Sequence, residues 1–215
     1  MTRTVLCFGD SNTHGTPPVL ALGASYRYDR QTRWPALMAA HLGNNWHVIE
    51  EGHPGRTTVH DDPIEGAHRN GITVLPSMLE SHKPLDLVIL MLGTNDLKGR
   101  FSVNPTDIAL SLERLIGVIR SFGCGPNGTA PGILLVAPPP IVEVGCLAEM
   151  FEGGQAKSHG LSAAIAAAAA RANVAFLDAG AHIAVSPIDG IHYDKEAHRT
   201  LAAVLGRAVI ENFGT

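Results

Sequence analysis

The chain is expected to fold as an α/β protein on a five-stranded, parallel, doubly wound sheet. Three observations carry that expectation. Five short apolar runs of strand character recur along the sequence. Helix-like segments separate them. The first three runs each end in a glycine-led polar turn.

Residues 4–8 are a compact apolar run, broken by Gly9 and followed at once by Asp10, Ser11, Asn12 and Thr13. Residues 12–32, rich in Gly, Pro, Tyr and Arg, lack periodicity and read as loop or loop with a short helix. Residues 35–42 read as a helix, with Pro35 in its first turn and Gly43 past its end. Residues 46–50 form the second strand and run into a turn holding Glu51, Gly52, His53, Pro54, Gly55 and Arg56. A helix is expected over 72–81. The near-continuous apolar run 85–92 then marks a central strand covered on both faces, ending in Gly93-Thr94-Asn95-Asp96.

Asn104 as cap, Pro105 at the first position and Asp107 in the first turn open a helix whose apolar face is Ile108, Leu112, Leu115, Ile116 and Ile119. Residues 133–137 form the fourth strand, stopped by Pro138-Pro139-Pro140. One long alanine-rich helix is expected from 154 to about 173, and 174–178 is the fifth strand. A loop then carries Asp189-Gly190-Ile191-His192, and Asp194 caps a last helix running to Phe213. No repeat, linker or composition shift divides residues 1–215, so one domain is expected.

The formal net charge of −4 offers no basic field for nucleic acid or anionic lipid, and no apolar run approaches the roughly 20 residues of a membrane span. Cys7, Cys124 and Cys146 are odd in number and widely spaced, which suits reduced thiols in a cytoplasmic protein. No secretory signal is expected, because the first strand begins almost at Met1.

Right-handed crossovers bring the carboxyl ends of all five strands to one edge of the sheet, where ligands bind in such folds. That edge then holds Ser11, Gly55 and Asn95 from the first three turns, with Asp189 and His192 from the last loop. A serine hydroxyl needs a neighbouring base, which a histidine supplies, and a carboxylate to fix the imidazole. The developing oxyanion needs donors: the Ser11 and Gly55 N–H groups and the Asn95 amide are the candidates. Each residue also has a plain alternative. Asp10-Ser11-Asn12 suits a helix cap, Asn95 a turn, Asp96 a helix cap, and Asp189 with His192 an Asx turn beside a surface histidine. Asp10 is expected to brace its turn by hydrogen bonds.

Gly9-Asp10-Ser11-Asn12, Gly55, Gly93-Thr94-Asn95-Asp96 and Asp189-Gly190-Ile191-His192 resemble, in order and spacing, the four blocks of the SGNH (GDSL-type) hydrolase family. The stretches Leu6-Cys7-Phe8-Gly9-Asp10-Ser11, Asp86-Leu87-Val88-Ile89 and Phe151-Glu152-Gly153-Gly154 are similar to its bacterial aryl esterase/acyltransferase branch. The resemblance implies a flavodoxin-like, three-layer α/β/α sandwich and ester hydrolysis through an acyl-serine. It implies Ser11 as nucleophile, Asp189 and His192 as its partners, and Ser11, Gly55 and Asn95 as the oxyanion hole. It further implies acyl transfer to alcohols or peroxide and a homo-oligomer, for which the apolar, proline-rich segment 138–151 is the candidate contact. Family members often carry Asn ahead of the second-block glycine pair, where this chain has Glu51-Gly52.

A small carboxylic ester, aryl or short-acyl, is the expected substrate, with water or an alcohol as acceptor and no cofactor. Sugar deacetylation and thioester hydrolysis use the same chemistry. A non-catalytic ligand-binding module is the different-class alternative, and it lacks a phosphate loop. The remaining histidines show no metal spacing, and His60, Asp61 and Asp62 are weighed against a merely solvated loop. His53 and Arg56 either border the cleft or face solvent, with solvent at least as well favoured. Tyr26, Tyr28, Trp34 and Phe101 either wall the pocket or lie at a subunit contact.

Overall fold

A computed structural model describes residues 2–24 and 26–214. The five strands are β1 (Arg3–Gly9), β2 (Trp46–Gly52), β3 (Leu87–Met91), β4 (Gly132–Ala137) and β5 (Ala175–Asp178). They pair in parallel in the order β2-β1-β3-β4-β5. The helices are α1 (Ser11–His14), α2 (Trp34–Leu42), α3 (Gly71–His82), α4 (Pro105–Ser121), α5 (Gly154–Ser158), α6 (Leu161–Ala172) and α7 (Lys195–Phe213).

Alternate residues of each strand face opposite layers. Leu6, Phe8, Val88, Leu90, Ile133 and Leu135 pack under α3, α4 and α6, through Leu75, Leu79, Leu112, Ile116 and Ile165. Val5, Cys7, Ile89, Leu134 and Val136 pack under α2 and α7, through Trp34, Met38, Leu201 and Leu205. The result is the expected three-layer α/β/α sandwich. The chain leaves β1 toward β2 on one side and returns past it to β3 on the other. The carboxyl ends of β1 and β3 therefore flank the switch point, where a crevice opens.

Most expected elements are present, with instructive differences. β2 continues to Gly52, in register with Gly9 of β1. The strand expected over 85–92 is shorter, because the Leu85 N–H donates to the Cys124 carbonyl outside the sheet. The single helix expected over 154–173 is two, α5 and α6. Gly160 has little helical preference, and its N–H turns back to the Lys157 carbonyl at i−3. Asn104 and Asp107 form a reciprocal capping box on α4, and Asp194 caps α7 by accepting the Ala197 N–H at 2.8 Å.

Asp96 is not a helix cap. It lies inside a short 3₁₀ turn, fully buried, where its carboxylate accepts the Thr58 N–H and hydroxyl. Trp34 lies at neither a pocket wall nor a subunit contact but in the core beneath α7. Cys7 is the small core residue its position suggests, and all three cysteines are unpaired. No helix among the described residues is long and apolar enough to cross a membrane.

Candidate active site

The cap reading of the first turn holds for Asp10. Asp10 is the N-cap of α1, accepting the Asn12 N–H at 2.9 Å, and Ser11 is the first helical residue. Two glycines make room for this short helix. A Cβ at Gly9 would strike the Thr13 side chain, and one at Gly52 would overlap the backbone of Thr13 and His14.

The last loop arrives from the opposite end of the chain. Its Asp189 and His192 are buried, and Asn12 clamps it: the Asn12 amide donates to the Ile191 carbonyl at 3.1 Å and accepts the Tyr193 N–H at 3.2 Å. His192 Nε2 thereby stands 3.2 Å from Ser11 Oγ, and His192 Nδ1 stands 2.7 Å from Asp189 Oδ2. Burial alone would raise the Asp189 pKa. The hydrogen bond and charge of His192, with the His192 and Val19 N–H groups, outweigh it and hold the carboxyl at about 2. An ionised Asp189 is purely an acceptor, so Nδ1 carries the imidazole proton and the Nε2 lone pair faces the serine hydroxyl.

Gly55 and Asn95 line the same cleft as Ser11 and His192, a cleft of about 430 Å³. The Asn95 amide donates one hydrogen to the Arg56 carbonyl at 3.1 Å, which fixes its plane and leaves the second N–H for another acceptor. Neither the Ser11 nor the Gly55 N–H is spent on a hydrogen bond among the described residues. Gly55 has φ of 73°, the left-handed region, and its bare Cα faces the Glu65 carboxylate. All five residues singled out from the sequence thus meet at one place.

Several neighbours carry no sequence signal of their role. Arg56 is 4 % exposed and does not face solvent. It donates to the Gly9 carbonyl at 2.8 Å and to the Glu51 carbonyl, with its guanidinium 4.2 Å from the Phe8 ring centroid. It therefore ties the ends of β1 and β2 beneath the site, and burial lowers its pKa to about 10. Glu51 pairs with His82 at 2.9 Å. His53 contacts Arg69 at 3.1 Å.

The cleft has two characters. Val19, Leu22, Leu147, Met150, Phe151 and Ile191 form an apolar wall. Beside Gly55 the cleft is also lined by Glu65, Arg69 and Lys98, with Lys98 Nζ 2.6 Å from Glu65 Oε1. Behind them Asp62 accepts from Arg100 at 2.8 Å. The aromatic wall is Phe151, whereas Tyr26, Tyr28 and Phe101 do not line the cleft: Tyr28 packs edge-on to His198 and Phe101 stacks on His60. The segment 138–151 also seats the last loop, with the Val142 N–H donating to the Gly190 carbonyl at 2.9 Å. No group of three or more His, Cys, Asp or Glu among the described residues is arranged to hold a metal ion.

The GDSL-like lipase/acylhydrolase family model matches residues 7–210. An inhibitor-bound aryl esterase from M. smegmatis is 40% identical over 98% of this chain and 99% of its own, with a TM-score of 0.93. A carbohydrate acetylesterase from Sinorhizobium meliloti is 44% identical over 99% of this chain and 100% of its own, with a TM-score of 0.93. A carbohydrate acetylesterase family member from the same organism is 37% identical over the full length of both chains, with a TM-score of 0.91. No curated protein matches the chain.

Proposed function

Since the chain belongs to the GDSL-like lipase/acylhydrolase family and is an esterase-type hydrolase, we propose that it cleaves small aryl or short-acyl carboxylic esters through an acyl-serine at Ser11. The supporting observation is the continuous relay from Ser11 Oγ to His192 Nε2 and from His192 Nδ1 to Asp189, between residues 181 apart in sequence. In this mechanism Ser11 Oγ attacks the ester carbonyl carbon as its proton passes to His192 Nε2. Asp189 holds the imidazole and stabilises the imidazolium. The carbonyl oxygen, now anionic, receives hydrogen bonds from the Ser11 N–H, the Gly55 N–H and the second Asn95 amide hydrogen. Collapse breaks the bond to the leaving oxygen, which takes the proton from His192. Water, deprotonated by the same imidazole, then releases the carboxylic acid; an alcohol or peroxide in its place gives acyl transfer.

Wild-type protein is expected to bind one serine-directed phosphonate per chain, read by mass spectrometry, and Ser11→Ala none. Stoichiometric labelling of Ser11→Ala would remove the mechanism. The charged wall of Glu65, Arg69 and Lys98 favours a second reading in which the alcohol part is a sugar, the substrate class named for the Sinorhizobium relatives. Comparing kcat/KM for an aryl acetate, an alkyl thioester and an acetylated sugar separates the two. The unpaired cysteines support a reducing, cytoplasmic setting.

A further inference from the structure

Asp189 is held by four donors, and their origins are unequal. Its Oδ1 accepts the Ile191 and His192 N–H groups, each at 3.0 Å, both from its own loop. Its Oδ2 accepts His192 Nδ1 at 2.7 Å and the Val19 N–H at 2.7 Å. Without Val19, Oδ2 would be held only by the imidazole it is meant to orient, and the carboxylate plane would rest on the two Oδ1 bonds from its own loop. Among the described residues, Val19 is the one partner supplied by a distant stretch of chain, 170 residues away.

The Val19 peptide is itself fixed. Pro17 and Pro18 precede it and restrict the backbone on its approach, and its carbonyl accepts the Cys146 thiol at 3.4 Å. Val19 is 6 % exposed, and it lines the cleft together with Ala21, Leu22, Gly23 and Ala24. One short segment thus lines the cleft and holds the Asp189 carboxylate.

We propose that Val19 is a positioning residue, whose backbone N–H locks the Asp189 carboxylate and links it to the cleft wall formed by Val19 and residues 21–24. The proposal rests on the acyl-serine reading. It concerns the transition state more than the ground state, so its removal should lower kcat and leave KM nearly constant.

The test replaces the Val19 amide by an ester, through incorporation of α-hydroxyisovaleric acid, which deletes the N–H and keeps the side chain. The Pro18 carbonyl, which becomes the weaker ester acceptor, takes no hydrogen bond among the described residues, so nothing else is lost. Asp189→Asn is measured alongside on an aryl acetate, with thermal melts to verify folding. Expected results are a loss of roughly 10³-fold or more in kcat for Asp189→Asn. The ester variant should lose roughly 10-fold or more in kcat, with KM within about twofold. The downfield proton resonance of His192 Nδ1 should also shift in the ester variant. If Asp189→Asn is impaired while the ester variant keeps its kcat and resonance, the positioning role is overturned and the acyl-serine reading stands. A raised KM at unchanged kcat overturns it equally, assigning the N–H to cleft shape alone. If Asp189→Asn is itself fully active, both fall together.

Discussion

Asp10 sits directly before the proposed nucleophile with a carboxyl that burial raises to a pKa of about 6, against partial compensation from the Asn12 N–H, His192 and Arg56. Its folded pKa exceeds the unfolded value of 3.8, so the folded state holds the proton more tightly. Asp10 therefore adds stability as pH falls from about 6 toward 4 and withdraws it as pH rises through 6. A shift of two units corresponds to roughly 3 kcal/mol at most. An asparagine keeps the cap acceptor for Asn12 and does not titrate. Asp10→Asn should thus gain about 1–3 kcal/mol at pH 7 and little at pH 4 in urea unfolding. Stability curves that run parallel between pH 4 and 7 would contradict this. At this scale the sequence was partly legible: Ser11, Asp189 and His192 announce their chemistry by type. The Val19 N–H and the buried Arg56 do not, because a backbone donor has no side-chain signature and an arginine in a polar turn reads as solvated.

At the scale of elements, the placement of Ser11 depends on how closely α1 approaches the sheet. Gly9 and Gly52 are partners in the β1–β2 ladder, and both lie against α1. The obstruction at Gly52 is backbone, not the end of a flexible chain, so an added methyl must move α1 or the end of β2. Gly52→Ala is expected to destabilise by about 1–3 kcal/mol in denaturant unfolding and to lower kcat, because α1 carries Ser11. An unchanged midpoint would show that the strand end yields freely. The strands were legible because burial on both faces writes itself as a local apolar run. The split of the alanine-rich helix was less so, since a single glycine inside such a run is compatible with an unbroken helix. The charged wall of Glu65, Arg69 and Lys98, with Asp62 behind it, was illegible. Polar loop residues look alike in sequence whether they pair or face water.

For the whole molecule, the topology was readable once five strands alternated with helices, because handedness leaves few arrangements. Assembly was not readable in that way. Segment 138–151, whose apolar character suggested a subunit contact, has an internal duty in seating the last loop, and Phe151 within it is 2 % exposed. Leu20, Leu22 and Ile64 are instead 86, 64 and 76 % exposed on loops at the cleft edge. Apolar surface of that kind favours a homo-oligomer, and light scattering at micromolar concentration is expected to give a mass above that of one chain. A monomer throughout would refute it. The relay joins residues 181 apart, so the proposed nucleophile is synthesised 181 residues before its proposed base. On the ribosome, the emerging polypeptide therefore carries its serine for most of synthesis without a partner to activate it. Under the proposed mechanism turnover begins only when the loop carrying Asp189 and His192 docks, which would make esterase activity a reporter of that docking.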